Sequence, residues 1–405
     1  MNSIAQAGRR GEAVRSDCWV QLERTTSGGI TVELHSKVDS MYGHSIKTLV
    51  NEELRYLGIE SAKVIIEDAG ALPFVLMARL EAACRRLDKT IEKEFLPDFR
   101  ECCRYATERE RFRRSRLYLP GNEPKFMINA GIHKPDGIIL DLEDSVSPSE
   151  KDAAAFLVRN ALRQVDFGDS ERMVRINQSS RGLDDLKFIV PHNVHVILIP
   201  KCERDEQVKE IADEVSRLKQ AYGVTRDIYF MPILESAKGI MNAYSIATSD
   251  NNIIALTIGL EDYTADIGTQ RTSEGRESIW ARSMVVNAAR AAGLQPIDTV
   301  FSDVLDMQGL KNSVLEAKSL GFDGKGCIHP RQIRVIHEGF APNEDEIAKA
   351  KQIALAFEQA EKDGLGVVAL GSKMIDPPVV KRALRTIRLA VSLGILAENW
   401  REGVV

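Results

Sequence analysis

From Arg114 onward the chain repeats one pattern, a short apolar run followed by a turn and then by residues at helical spacing. The apolar runs fall at 116–120, 137–142, 173–177, 194–200, 228–234, 253–260, 299–302 and 324–329. Runs this short and this continuously apolar read as strands buried on both faces, which is the habit of parallel sheets. About eight strand-helix units in this length predict a (β/α)8 barrel. A doubly wound sheet is the competitor, but its first turn should carry G-x-G-x-x-G, and Pro120-Gly121-Asn122-Glu123 does not.

A parallel barrel gathers the C-terminal ends of its strands on one rim, so the residues that end the runs are the ones to weigh. The second run ends in Asp141-Leu-Glu143-Asp144, the third in Arg175-Ile-Asn177, the fourth in Pro200-Lys201, the fifth in Glu235 and the sixth in Glu261-Asp262. Glu235 and Asp262 would lie side by side, as hard oxygen ligands for a divalent ion such as Mg²⁺ or as solvated acids capping the helices that follow. Arg175 can pair two-pronged with a carboxylate, or serve as an ordinary ion pair. Glu143 and Asp144 can support an ion or cap the next helix. His192-x-x-His195 flanks a strand start, the barrel's stability face, and reads as structural rather than as a metal pair. His329 reads as a turn and helix-entry residue before Pro330, and Cys327 as a buried thiol. No G-x-S-x-G elbow, P-loop or H-E-x-x-H motif occurs.

The flanks differ from the barrel. Residues 1–90 read as a compact ββαβα module: Cys18, Val20 and Leu22 alternate with polar neighbours, Ser27-Gly28-Gly29 turns the chain, and Ile30, Val32 and Leu34 alternate again, predicting a hairpin with one buried face. Residues 91–113 are crowded with Arg and Glu and predict a partly helical linker before the barrel at 114–342. A helical extension at 343–405 is surplus to a closed barrel and is expected to pack on a neighbouring subunit. A net charge of -5 argues against a nucleic-acid or anionic-membrane partner. Six cysteines without metal-site spacing fit reduced thiols, and no apolar stretch is long enough to span a bilayer, so a cytoplasmic protein is expected.

At the rim residues the chain resembles the citrate lyase beta-subunit family, which includes the malyl-CoA and citramalyl-CoA lyases. The likeness rests on Arg114-Ser-Arg-Leu-Tyr-Leu-Pro-Gly-Asn122, Ile139-Leu-Asp-Leu-Glu143-Asp144, Val174-Arg175-Ile-Asn177, Leu198-Ile-Pro-Lys201, Ile233-Leu-Glu235-Ser236, Gly259-Leu-Glu-Asp262-Tyr263, the Gly321 to Gln332 segment and Met374-Ile-Asp376. The first module resembles the acyl carrier (gamma) subunit of citrate lyase through Ile30-Thr-Val-Glu-Leu34, Tyr42-Gly43, Asp68-Ala-Gly-Ala-Leu72 and Ala78-Arg-Leu-Glu-Ala82.

These resemblances imply a Mg²⁺-dependent carbon-carbon lyase on a TIM barrel, usually a trimer or hexamer. They make Glu235 and Asp262 the metal ligands, Arg175 the clamp on a keto-acid carboxylate, and Glu143 a partner of metal-bound water. Arg116, Gly121, Asn122 and Lys201 become substrate-binding residues, and Asp376 a general base supplied by a neighbouring subunit's tail. The carrier pattern puts its modified serine at Arg15, with Ser16 the hydroxyl one residue later, so Ser16 either bears a CoA-derived phosphoribosyl-dephospho-CoA arm or belongs to a domain that has lost it. Three functions follow. The chain cleaves a citryl-like thioester to a 2-keto acid and an acetyl-type thioester; or it is a malyl-CoA or citramalyl-CoA lyase on free CoA thioesters; or it is a non-catalytic assembly subunit alongside other citrate-lyase-type chains.

Overall fold

The computed structural model describes residues 4–272, 274–362, 368–370 and 373–401. The first domain is a four-stranded sheet, β1 (Ile4–Gly8), β2 (Cys18–Arg24), β3 (Ile30–Ser36) and β4 (Ala62–Asp68), with helices α1 (Asp39–Tyr56) and α2 (Pro73–Leu87). The strand-strand-helix-strand-helix order stands, with β1 added in front of it. The hairpin does not stand: the sheet order is β1-β2-β4-β3, so β4 lies between β2 and β3. Val20 pairs with Ile66 on one side of β4, while Val32 pairs with Val64 on the other. Ala62, Val64 and Ile66 of β4 are buried, as are Cys18, Val20 and Leu22 of β2, and these two strands take the interior places where both edges are paired. β3 alternates half-buried and exposed residues, as an edge strand does. Gly28 and Gly29, at φ +99° and +71°, make the turn that lets the chain step across β4.

Eight parallel strands then close a barrel: β5 (Ser115–Pro120), β6 (Gly137–Asp141), β7 (Glu171–Arg175), β8 (Val196–Ile199), β9 (Tyr229–Leu234), β10 (Ala255–Ile258), β11 (Gln295–Asp298) and β12 (Gly324–Cys327). Pairing of Gly326 with Arg116 and of Cys327 with Leu117 completes the ring. Its interior is filled by Ile139, Met173, Leu198, Met231, Ile233 and Ile297, among others. The seventh strand lies four residues before the expected 299–302, because Pro296 and the polar residues Gln295 and Asp298 disguise a run in which Ile297 and Asp298 are fully buried. Residues 299–302 form the rim loop instead.

The segment 91–113 is not a helical linker. It contains one 3-10 turn, Glu101–Cys103, and otherwise lies as a strap across the N-terminal mouth of the barrel. Several of its arginines bind the barrel beneath it. Arg113 makes a two-pronged pair with Glu171 at 2.7 and 2.8 Å, both side chains fully buried. Arg109 donates to the carbonyls of Asn251 and Ile253 at 2.6 and 3.0 Å. His195 meets the Tyr105 carbonyl at 2.9 Å, which gives the His192-x-x-His195 pair a structural place under the strap.

The extension has a small core of its own, built from Ala354, Ile375, Val380, Ile387 and Trp400 on the helices Glu344–Lys362 and Pro377–Ser392 and their surroundings. A two-stranded ribbon, β13 (Val368–Leu370) with β14 (Lys373–Ile375), joins the helices. Residues 363–367, Gly371 and Ser372 of the extension lie outside the described residues.

Candidate active site

The C-terminal ends of β6, β7, β9 and β10 surround one cavity of about 310 Å³ at the C-terminal mouth, lined in part by Tyr118, Asp144, Arg175, Glu235, Asp262 and, at its base, Arg116. Arg175 ends β7 and is flanked by the acids that end β6. Its Nε and Nη2 donate to the two oxygens of Asp141 at 2.6 and 2.8 Å, its Nη1 lies 3.2 Å from Glu143, and its guanidinium stacks 5.5 Å from the Tyr118 ring. The two-pronged edge foreseen for a substrate carboxylate is therefore held by Asp141, which leaves the end of the guanidinium facing Glu143. Burial pushes the Asp141 carboxyl up, but the Arg175 hydrogen bonds and charge outweigh it and hold the carboxyl below its usual range.

Lys201 follows β8 with a left-handed backbone, φ +47°. Its ammonium stands among three acids, 3.5 Å from Glu143, 3.6 Å from Asp144 and 3.7 Å from Asp262, while its backbone N–H donates to Glu235 at 2.7 Å. Glu235 is buried against Gly259, where an added Cβ would come within 2.5 Å of its Oε2, so only glycine lets the β10 end approach this closely. Burial, and next the nearby charge of Asp262, push the Glu235 carboxyl up to about 7, against the Lys201 N–H bond that lowers it.

Of the residues singled out from sequence, the structure thus brings together Glu143, Arg175, Lys201, Glu235, Asp262 and Arg116. Arg116 is buried in the barrel, with Nη1 at 2.8 Å from Met231 Sδ and Nη2 at 3.1 Å from Thr257 Oγ1. Gly121 is beside the site, its N–H bonded to the Asp141 carbonyl at 2.7 Å. Asn122 turns to the first domain, where its carbonyl accepts from Arg79 at 2.9 Å. Ser16 sits on that domain, half-buried, with φ +57°. Asp376 caps the helix Pro377–Ser392, accepting from the Val379 N–H at 3.2 Å, within the extension and bonded to none of the rim residues.

Sequence reasoning missed several supporting groups. Gln178 donates to Glu143 at 2.7 Å, and Lys151 donates to the carbonyls of Leu142 and Glu143 at 3.1 and 2.8 Å, fixing the rim acid from behind. Tyr118 could have been found, since it lies between two apolar positions of β5 on the same alternation as Arg116 and Pro120. Asp298 also lines the cavity but is already neutralised by Lys325 at 2.8 Å and by both arms of Arg282.

The donor set suits a Mg²⁺-sized ion. A lysine ammonium within 4 Å of three carboxylates marks a place where positive charge is wanted, and the raised Glu235 carboxyl is what a cation beside it would lower. Among the described residues no three His, Cys, Asp or Glu side chains form a closed metal cluster. Two carboxylates are the usual protein contribution to Mg²⁺, which keeps waters and substrate oxygens as its other ligands.

Comparison with known proteins gives the chain a family. A family model described as HpcH/HpaI aldolase/citrate lyase matches residues 114–330, and one described as malonate decarboxylase delta subunit matches residues 5–87. Citrate lyase subunit beta of Leuconostoc mesenteroides subsp. cremoris is 40% identical over 288 residues, covering 69% of this chain and 94% of that protein. Human mitochondrial citramalyl-CoA lyase is 32% identical over 293 residues, covering 69% of this chain and 86% of that one. The crystal structure of the protein CitE from Mycobacterium tuberculosis in complex with magnesium, acetoacetate and coenzyme A superimposes with a TM-score of 0.56 at 28% identity, covering 70% of this chain and 99% of that one.

Proposed function

The chain belongs to the HpcH/HpaI aldolase/citrate lyase family, and from that premise we propose that it is a Mg²⁺-dependent carbon-carbon lyase cleaving a citryl-like 3-hydroxy-acyl thioester to a 2-keto acid and an acetyl-type thioester. The observation that carries the reading is the rim constellation itself: Glu235 and Asp262 beside a cation-attracting cluster, with Arg175 held across the same cavity. Glu235 and Asp262 would hold the ion, with Glu143 orienting a water next to it. When bound, Mg²⁺ draws electron density from the carbonyl oxygen of the keto acid.

The rest of the work falls to the chain's own groups. Arg175, locked by Asp141, offers its remaining N–H groups to the keto-acid carboxylate without having to be ordered first. Lys201 holds Glu143, Asp144 and Asp262 together against their mutual repulsion. Arg116, a buried guanidinium with only neutral partners, supplies positive potential under the cavity and favours an anionic occupant. Proton removal from the substrate hydroxyl needs a base; Asp376 from a neighbouring chain is the residue we assign.

A protein-borne thioester is favoured over free CoA thioesters by the carrier-like first domain, with Ser16 as the attachment point. The Leuconostoc relative is matched over 94% of its length by 69% of this chain, which leaves it almost nothing to set against that domain. We assign the chain to a cytoplasmic homotrimer or homohexamer that can associate with further citrate-lyase-type subunits; among the described residues no helix is long and apolar enough to cross a membrane. The test is a panel of citryl, malyl and citramalyl thioesters with Mg²⁺ or a chelator. Citryl cleavage should dominate and should vanish with chelator, in Glu235→Ala and in Asp262→Ala. Near-wild-type turnover in either variant would break the metal assignment.

A further inference from the structure

Carrier domains are commonly pictured as swinging on a linker between sites, and this one is built differently. Twelve of the fifteen residues of α2 are buried. A helix buried on all sides must be covered twice. Here one side faces the sheet of the first domain and the other faces the barrel helix Lys151–Gln164, and a single apolar core runs through both domains. Two-pronged pairing of Arg159 with Glu81, at 2.6 and 3.2 Å with both side chains fully buried, locks the contact, and Asn160 donates to the Phe74 carbonyl at 3.0 Å. Separation would break this pair and, more costly, would expose to water the apolar side of α2 that now packs on the barrel helix.

The Ser16 loop is fastened as firmly, and on the catalytic side. Ser16 N–H donates to the Ala69 carbonyl at 2.9 Å. The next residue, Asp17, is gripped by Arg79 Nε and Nη2, both at 2.9 Å. The same Nη2 donates to the carbonyl of Asn122 in the loop that follows β5, which is part of the barrel's C-terminal rim. Arg9, on the other flank of the Ser16 loop, pairs with Glu123 of that rim loop. One donor and one acceptor at this junction, Arg79 Nη1 and Asn122 Oδ1, are buried without a partner among the described residues and can serve a polar arm laid across it.

We propose, on the basis of the carrier reading above, that the first domain is a fixed carrier: it stays docked throughout turnover, presents the thioester to its own barrel from Ser16 beside the Asn122-Glu123 rim loop, and only the arm moves. The partner it recognises is its own barrel, through α2 on Lys151–Gln164. The protein is coexpressed with the enzymes that install a CoA-derived arm, and intact mass reports the arm on wild type and its absence in Ser16→Ala. Hydrogen exchange is then compared between unloaded protein and arm-loaded, acylated protein with Mg²⁺. Amides of 73–87 and 151–164 should keep the same protection in both, and a tenfold or greater loss in both helices would overturn the proposal. In verified mixed oligomers of Ser16→Ala with Glu235→Ala, activity should stay at the sum of the two parents; recovery to a tenth of wild type or more would show that the carrier serves other barrels. An arm present with either of those results defeats the fixed carrier alone, whereas an absent arm defeats the carrier reading and this inference with it.

Discussion

At the scale of single residues, charge neutralisation explains most of the site and much of the scaffold. Arg175 is made useful by Asp141, since a guanidinium whose one edge is fixed loses little freedom when the other end meets a carboxylate. Histidine shows the reverse strategy. His192 is buried with Arg163 Nη1 at 3.2 Å from its Nδ1, and burial, helped by the charges of Arg159, Arg163 and Arg226, pushes it down to about 3. A free histidine titrates near 6.5, so the unfolded chain takes up the proton first. The contribution of neutral His192 to stability is therefore whole above about pH 6.5 and is lost as pH falls from there toward 3. His192→Gln should lose less of its urea midpoint between pH 7 and pH 5 than the wild type does; parallel curves for the two proteins would show that His192 carries no such linkage.

At the scale of elements, the barrel helix Lys151–Gln164 serves two interfaces, because it closes the barrel wall and receives α2. Arg159→Met should cost roughly 2–3 kcal/mol in equilibrium unfolding, since it takes two charge-assisted hydrogen bonds from the fully buried Glu81 carboxylate and leaves it to Arg85 alone. The double variant Glu81→Leu/Arg159→Met should regain much of that loss, and a cost below about 1 kcal/mol in the single variant would mean the pair is not locking the contact. Element identity was largely legible in the sequence wherever burial on both faces made a continuous apolar run, as in β6, β8 and β9. It failed at β11, whose Pro296 and polar ends mask a strand; β4 reads as a strand, and what the reading misses is its place between β2 and β3, which its own spacing does not encode. The rim acids and Arg175 were readable because strand ends in a barrel converge by construction. Gln178, Lys151 and the Asp141 grip on Arg175 were not, since they depend on side-chain directions that no spacing encodes. The strap was misread for a related reason: Arg-rich and Glu-rich sequence looks the same whether its charges face water or bind loop carbonyls.

At the scale of the whole molecule, the extension stands apart, with its own core and an apolar groove of about 820 Å³ between Phe357, Leu384, Ile387 and Trp400. Asp376 sits there as a helix cap, away from the bonds of the rim. If it serves as base for another subunit, Asp376→Asn mixed with Arg175→Ala should regain activity that neither parent has, and a mixed oligomer as inactive as its parents would remove Asp376 from the reaction. The strap across the barrel mouth bears on how the chain is made. Arg109 closes onto Asn251 and Ile253, 142 and 144 residues further along, so its bonds cannot form until the loop leading into the sixth barrel strand has been synthesised. On a ribosome the first domain emerges long before its belt can be fastened, and the buried face of α2 has to wait for Lys151–Gln164 as well. Such long-range closure is slow to reach, which makes the half-made chain the form most in need of a chaperone.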